Sequence, residues 1–257
     1  MMMNYEDLVS SAVHTEFKGW DFSYVLSSGR MKEDPLSWSY EKIVKEYFYG
    51  CRNLLDMGTG GGEVLSSLIP LPQNSYATES YIPNVEVAKL RLEPLGVKVV
   101  YIPENPMPPY CDDLPFECNY YDLIINRHEA YMPKELFRIL KNNGSFITQQ
   151  VGFLSAANLI KDMLGKKAKY GNWNLQSAIT ELKEAGFKII QKNEEISNIY
   201  FFDVGALVYY LRAIPWLIGG FTSEKYDKSL RYIHEIIESQ GYYQTLAHRF
   251  LIIAQKN

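Results

Sequence analysis

The chain has 257 residues, of which 47% are hydrophobic and 22% are charged, a balance typical of globular proteins. This length fits one large α/β domain, or one domain with a small appendage. The net charge of −4 and the pI near 5.7 lack the basic excess of proteins that contact many phosphates, which disfavours a large nucleic-acid partner.

Export, membrane insertion and metal binding find no support in the sequence. The first residues lack a basic region followed by an apolar one, and no run of about 18 apolar residues occurs. The three cysteines, Cys51, Cys111 and Cys118, form no Cys-x-x-Cys pair, and the four histidines are scattered. We therefore expect a cytoplasmic protein without a bound metal and without a membrane partner.

Residues 1–50 are predicted to form a helical N-terminal arm that is rich in aromatic side chains. Apolar spacing predicts helices at 4–13 and 37–49, separated by a polar, irregular segment at 27–35. The arm either packs on the edge of the following sheet or closes as a lid over a substrate pocket. The sequence leaves both readings open.

From residue 51 to 151, predicted strands and helices alternate, which favours a parallel sheet covered on both faces. The predicted strands are 52–56, 74–79, 97–102, 121–126 and 144–150, and the predicted helices are 61–69, 83–93 and 131–141. The proline-rich segment 103–119 is predicted to be a loop.

The alternation continues toward the C-terminus with an insertion before the last strand. The predicted helices are 153–164, 174–185, 203–213 and 223–239, and the predicted strands are 187–193 and 247–254. The stretch 198–240 is longer than an ordinary connection, so we interpret it as an insertion.

A glycine-rich turn follows the first of the strands in 51–151. The sequence from Asp56 to Gly62 has the spacing Asp-x-Gly-x-Gly-x-Gly, and a helical pattern begins at Glu63. Strand, glycine turn and helix together bring backbone N–H groups to a bound ligand. A P-loop would need Gly-Lys-Ser/Thr, and a dinucleotide fingerprint would need glycine where Glu63 stands.

The second of these strands ends in Glu79, 23 positions after Asp56. In open α/β sheets an acid at this place can accept two hydrogen bonds from a ribose. Nicotinamide cofactors are bound by the same device, so Glu79 indicates a nucleoside and leaves the cofactor open. The alternative is a solvated loop glutamate.

The turn from Asp56, the Leu114-Pro115-Phe116 stretch, the strand 121–126 and the segment 132–144 form a set of motifs. As a set they resemble class I S-adenosylmethionine-dependent methyltransferases of the small-molecule, UbiE-like type. The resemblance covers about residues 50–193. It implies a Rossmann-like α/β fold: an open, mostly parallel seven-stranded sheet, helices on both faces, and an antiparallel last strand, within a domain spanning 51–257.

The resemblance also implies S-adenosyl-L-methionine as the cofactor and assigns residues to it. Asp56, Gly58, Thr59, Gly60 and Gly62 would shape the site of its methionine end, and Glu79 would bind its ribose. The residues expected near the adenine and at the end of the fourth strand are Asp112, Asp113, Leu114 and Asn126. Which of the two aspartates meets the adenine, or whether a backbone N–H does so, stays open.

His128 is the candidate catalytic residue, because it follows the fourth strand and an imidazole suits proton removal near neutral pH. A purely structural histidine is the alternative. Tyr209 and Arg212, in the insertion, are candidate substrate contacts, although core packing explains them adequately. The lysines 166, 167 and 169 form a basic cluster that is either a solvated loop or an RNA contact.

The sequence therefore predicts a methyltransferase acting on an unidentified, small-molecule acceptor. Two alternatives remain, an RNA methyltransferase and a protein that binds S-adenosylmethionine without catalysis. A nicotinamide oxidoreductase carries less weight.

Overall fold

The computed structural model describes residues 4–17, 22–103, 114–165 and 171–257. The chain divides into two compact units, each built from discontinuous segments. The first unit comprises Met1–Leu36, Phe153–Gly171 and Ile196–His248, and the second comprises Ser37–Gly152, Asn172–Glu195 and Arg249–Asn257. The lid function of residues 1–50 remains a prediction.

Helices and strands alternate through most of the described chain. The strands are β1 (Met31–Glu33), β2 (Asn53–Met57), β3 (Asn74–Glu79), β4 (Lys98–Tyr101), β5 (Tyr121–Arg127), β6 (Leu140–Val151), β7 (Phe187–Phe201) and β8 (Tyr243–Lys256). The helices are α1 (Tyr5–His14), α2 (Ser23–Leu26), α3 (Tyr40–Glu46), α4 (Glu63–Ser67), α5 (Ile82–Leu92), α6 (Pro133–Ile139), α7 (Ala157–Leu164), α8 (Leu175–Glu184), α9 (Val204–Ala213) and α10 (Asp227–Gln240).

The strands form one sheet in the order β1-β7-β8-β6-β5-β2-β3-β4. The pairs β2–β3, β2–β5, β3–β4 and β5–β6 are parallel, whereas β8 runs antiparallel to β6 and β1 runs antiparallel to β7. The expected Rossmann-like architecture, with its antiparallel last strand, is confirmed. Among the described residues the sheet has eight strands instead of the expected seven, because the short β1 pairs with the end of β7.

The core of the second unit lies on both faces of its sheet. Leu54 and Leu55 are both fully buried, but they belong to different apolar clusters, because successive side chains of a strand point to opposite faces. Fully burying a leucine contributes roughly 2 kcal/mol, so this two-sided burial favours the parallel strand at the centre of the sheet.

The first unit has a core of its own. Helix α9 is buried along nearly its whole length and packs with the apolar residues of α1 and α10. Its start is fixed by Asp203, whose carboxylate accepts a hydrogen bond from the Ala206 N–H and pairs with Arg30 at 2.6 Å. This ion pair ties α9 to the residue that precedes β1.

Most predicted elements are present with boundaries shifted by a few residues. The largest difference concerns β7, which continues from 193 to Phe201 and so includes residues 198–201 of the predicted insertion. Strands β6 and β8 each begin four residues before their predicted starts, and helices α7 and α10 each begin four residues after theirs. The insertion itself stays a prediction. Strand β1 and helix α2 were not predicted.

Candidate functional site

Three parallel strands of the second unit bring the predicted cofactor residues to one edge of the sheet. Asp56 of β2 lies beside Ala77 of β3 and Ile125 of β5. Because these strands run in the same direction, their carboxyl ends meet at this edge, where Glu79 ends β3 and Asn126 lies next to the end of β5.

The glycine turn after β2 has the backbone that its sequence demands. Gly58, Gly60 and Gly62 have φ values of 66°, 62° and 80°, in the left-handed region that favours glycine. A β-carbon on Gly62 would lie 2.7 Å from Cγ of Leu92, so helix α5 packs directly on the turn. Arg91 of α5 also donates to the Gly61 carbonyl oxygen and pairs with Glu63.

The amides of this turn differ from the expectation that they face the ligand. The Gly58 N–H donates to Oγ1 of Thr78 at 3.3 Å, and the Thr59 N–H donates to the Thr78 carbonyl oxygen at 2.9 Å. The Gly60 N–H donates to Oε2 of Glu79 at 2.7 Å. The turn is therefore docked on β3 by its first three N–H groups.

Glu79 is almost completely buried, with 4% of its surface exposed. Its Oε2 accepts the hydrogen bond from Gly60, and its Oε1 accepts from the N–H groups of Ser80 at 3.1 Å and Tyr81 at 2.9 Å. These hydrogen bonds fix the carboxylate at the carboxyl end of β3, beside the glycine turn. Glu79 thus lies at the place that the sequence assigns to ribose binding.

Asp56 is buried beneath the turn. Its Oδ2 accepts a hydrogen bond from the Thr59 hydroxyl at 2.7 Å. Burial raises the pKa of Asp56 to about 7, the negative charge of Glu79 adds to the rise, and the Thr59 hydrogen bond and Arg127 oppose it. The Asp56 carboxyl group therefore titrates near neutral pH.

The Tyr40 hydroxyl lies in the same environment. Tyr40 is 2% exposed, and its hydroxyl makes no hydrogen bond of normal geometry among the described residues, although the Asn126 backbone lies near enough to lower its pKa. Burial and then the charge of Asp56 raise the pKa of Tyr40 well above its usual value, while Arg127 opposes the shift. A buried hydroxyl without a partner costs free energy, which makes it a candidate ligand contact.

Asn126 holds the loop that follows β5. Its side-chain Oδ1 accepts from Thr148 at 2.8 Å and from Gln150 at 2.6 Å, and its Nδ2 donates to the Glu129 carbonyl oxygen at 3.2 Å. Asn126 is fully buried, so these bonds account for its polar atoms. Asn126 therefore fixes this loop, and its role in cofactor binding stays a prediction.

His128 is at the first turn of this loop, in the left-handed conformation with φ of 66°. Its N–H donates to the Gln149 carbonyl oxygen at 2.9 Å, and the residue keeps an exposed surface. The protein atoms around the imidazole displace water from it, and this desolvation disfavours its charged form. Together with the positive charges of Arg249 and Arg127, it holds the pKa of His128 well below its usual value. The imidazole is therefore neutral near pH 7 and able to accept a proton.

Leu114 is anchored at the start of a described segment. It is 5% exposed and packs with Met57 and Tyr121. Its N–H donates to Oε1 of Glu135 at 2.8 Å, and its carbonyl oxygen accepts from Arg138 at 3.0 Å. Asp112 and Asp113 lie outside the described residues.

The candidate contacts of the insertion have structural partners. Tyr209 is buried in the core of the first unit, where its ring packs against Phe17 and Tyr24. Arg212 donates to the carbonyl oxygens of Ala12 and Thr15 at the end of α1. Packing and helix termination thus account for both. The lysines 166, 167 and 169 lie outside the described residues.

Metal-binding clusters and membrane-spanning helices are absent from the described residues. These residues contain no group of three or more His, Cys, Asp or Glu side chains arranged to hold a metal ion. Within the same ranges, no helix combines the length and the apolar character that crossing a membrane requires.

Several residues of the site could not be found from the sequence. Tyr40, Arg91 and Leu92 lie in helical patterns that also fit ordinary packing, and Gln149 and Gln150 continue an apolar strand. Their proximity to the turn depends on strand order and helix packing. Only the acid and glycine spacing carried a local signal.

No protein-family model matches the chain, and no curated protein matches it. Solved structures do match in fold. One of them is a protein from Bacillus halodurans C-125 whose assignment as a methyltransferase is inferred and not established. It is 18% identical to this chain with a TM-score of 0.59, and the match covers 85% of this chain and 99% of that chain. The [4+2]-cyclase SpnF is 13% identical with a TM-score of 0.52, over 97% of this chain and 92% of that chain.

A geranyl diphosphate methyltransferase in complex with S-adenosylmethionine is 11% identical with a TM-score of 0.51, over 84% of each chain. The TM-scores of these three structures show a common fold, whereas sequence identities this low leave the activity of this chain open. The chain has the Rossmann-like fold of the class I methyltransferases.

Proposed function

We propose that the chain is an S-adenosylmethionine-dependent methyltransferase that acts on a small-molecule acceptor. The observation that carries this proposal is the carboxylate of Glu79, which lies at the end of β3 beside the glycine turn and accepts hydrogen bonds from the backbone N–H groups of Gly60, Ser80 and Tyr81. The shared fold and the glycine turn beside Glu79 support the same cofactor.

The charge of the site fits this cofactor. S-adenosylmethionine carries a sulfonium and an ammonium group, and the buried acids Asp56 and Glu79 favour a positively charged ligand. A nicotinamide dinucleotide carries an anionic pyrophosphate that needs backbone N–H donors at the turn. The N–H groups of Gly58, Thr59 and Gly60 already donate to β3, which argues against that alternative.

Each part of the cofactor has candidate residues. Glu79 would accept hydrogen bonds from the ribose, and Leu114 would form an apolar wall for the adenine. The turn from Gly58 to Gly62 would border the methionine end, with Asp56 beneath it. Asp112 and Asp113 remain predictions for the adenine, as does the UbiE-like subtype.

When bound, the cofactor supplies an electrophilic methyl group on sulfur, which leaves a neutral thioether after transfer. The protein must hold the acceptor in line and exclude water. His128, neutral near pH 7, would accept the proton of an acceptor atom that carries one. Its hydrogen bond to Gln149 fixes the backbone that presents the ring.

Binding without methyl transfer is the second candidate function. The [4+2]-cyclase SpnF shares the fold over most of this chain, so the architecture also supports other chemistry. For RNA methylation, the predicted lysine cluster lies outside the described residues and the chain is acidic.

Calorimetric titration with S-adenosylhomocysteine and with NADH tests the proposal. We expect the wild-type protein to bind S-adenosylhomocysteine and not NADH, and Glu79→Ala to lower the affinity at least tenfold, because charge-assisted hydrogen bonds are lost. Glu86→Ala, on an exposed part of α5, is the matched control. Binding of NADH alone, or unchanged affinity in Glu79→Ala, would contradict the proposal.

Methyl transfer is then measured with a radiolabelled methyl group across small hydroxyl, amine and activated carbon acceptors. Transfer to any of them supports the enzyme, whereas tight cofactor binding without transfer to any acceptor favours the second candidate.

A further inference from the structure

The side chain of Glu129 lies directly on the glycine turn. A β-carbon built on Gly58 would be 2.5 Å from Cβ of Glu129 and 2.6 Å from its Oε2. Real side chains do not approach that closely, so only glycine at position 58 leaves room for Glu129. The conformational demand at Gly58 therefore comes from a protein carboxylate as well as from its φ of 66°.

The position of Glu129 is fixed by its backbone. Its carbonyl oxygen accepts from Nδ2 of Asn126 at 3.2 Å and from Nε2 of Gln150 at 3.0 Å. Both amide side chains are buried at the ends of β5 and β6. The Oε1 of Glu129 accepts from the N–H of Ala130 at 3.2 Å, which orients the carboxylate.

This carboxylate lies on the turn that has Asp56 beneath it and Glu79 beside it. Arg127 is the cation whose charge acts on Asp56 and on Tyr40. The Tyr40 hydroxyl, 2% exposed and without a hydrogen bond of normal geometry among the described residues, is an independent sign that a polar ligand group completes this region. A cationic group of a ligand would be attracted to the carboxyl groups of Glu129, Asp56 and Glu79.

We propose that the Glu129 carboxylate binds the ammonium group at the amino-acid end of the cofactor. This inference rests on the proposed function, because it requires an adenosyl ligand in the cleft. Glu129 is then a recognition residue that distinguishes ligands carrying the amino-acid tail from those lacking it. A carboxylate suits an ammonium group because each oxygen accepts charge-assisted hydrogen bonds.

Two ligands isolate this contact. S-adenosylhomocysteine carries the amino-acid tail, whereas 5′-methylthioadenosine retains the nucleoside and the thioether and lacks the tail. Calorimetry with wild type and Glu129→Gln should show S-adenosylhomocysteine affinity falling about 10- to 100-fold and 5′-methylthioadenosine affinity unchanged. Glu117→Gln, at an exposed position, is the control that should bind both ligands like wild type.

A second variant separates recognition from obstruction. If Glu129 merely fills the cleft, Glu129→Ala would bind either ligand more tightly than wild type, and that result would overturn the inference. The inference requires that Glu129→Ala lose S-adenosylhomocysteine affinity as Glu129→Gln does. Thermal melting verifies that both variants fold.

The failures are distinguishable. Equal S-adenosylhomocysteine affinity in wild type and Glu129→Gln removes the role of Glu129 and leaves the proposed function intact. A wild-type protein that binds neither adenosyl ligand overturns both.

Discussion

We expect Asp56 to make ligand binding depend on pH. Its folded-state pKa of about 7 lies above its ordinary value of 3.8, so the folded protein retains a proton that the unfolded chain releases. Folding stability from this group is therefore lost as the pH rises through 7. The charged and titratable neighbours that face Asp56 are Glu79, Arg127 and Tyr40.

A cationic ligand favours ionised Asp56, so its affinity should increase with pH. We expect affinity for S-adenosylmethionine to rise about tenfold between pH 6 and pH 8 if only ionised Asp56 binds it. Asp56→Asn should bind with a flatter pH profile and, without ligand, lose less stability over that interval. Calorimetry at fixed ionic strength measures the first effect, and denaturant unfolding the second. An identical pH profile in wild type and Asp56→Asn would exclude this coupling.

His128 is suited to a substitution that preserves its backbone. Asparagine tolerates the left-handed conformation better than most residues, so His128→Asn should fold normally. Loss of the base should lower turnover about 10²- to 10⁴-fold on an acceptor that must lose a proton, with little change in cofactor affinity. Steady-state kinetics and calorimetry on the same preparation separate the two quantities. Full turnover in His128→Asn would make its role structural.

At the scale of elements, the glycine turn packs directly against helix α5. Gly62 and Gly96 have nearly equal φ values, 80° and 82°, but only Gly62 would place a β-carbon against Leu92. No heavy atom lies within 4 Å of a β-carbon built on Gly96. Substitution by alanine at Gly96 therefore measures the free energy lost to the left-handed backbone alone, whereas substitution at Gly62 adds the free energy lost to packing against Leu92.

We expect Gly96→Ala to lower the free energy of unfolding by about 1 kcal/mol, the cost of a left-handed alanine. Gly62→Ala should lower it by about 3 kcal/mol, because the buried Leu92 must also move. Denaturant unfolding of both variants measures the difference. Equal losses would mean that α5 yields to the new methyl group without cost.

A related device anchors Leu114. The Glu135 carboxylate accepts a hydrogen bond from the Leu114 N–H, and Arg138 donates one to the Leu114 carbonyl oxygen. Arg138 also forms an ion pair with Glu135. The pair lies at i and i+3 on α6, a spacing that brings two side chains together on a helix. Helix α6 thus determines where an apolar wall of the proposed adenine pocket lies.

At the scale of the whole molecule, local patterns predicted most of the fold. Buried strands such as β2 are continuous apolar runs, and the acid and glycine spacing marked the turn that follows. The second half of β7, residues 194–201, was missed because polar residues such as Glu194, Glu195 and Ser197 interrupt any apolar pattern. The three-residue β1 has too few residues for a periodic signal.

The site was predictable in part for the same reason. Glu79 follows from its distance to the glycine turn, because strand order in such sheets places both at one edge. Tyr40 and Glu129 reach the turn through tertiary packing, which spacing does not encode. Nor could the sequence indicate that the amides of Gly58, Thr59 and Gly60 donate to β3.

The position of β8 has a consequence for biosynthesis. Residues 249–255 pair with β6, and β8 lies between β6 and β7 in the sheet, although these two strands are made much earlier. While the ribosome is still adding the residues before 249, β6 has an open edge beside a row of apolar side chains. An open edge of this kind can pair with other chains, so we expect the nascent protein to be prone to aggregation until β8 has been made.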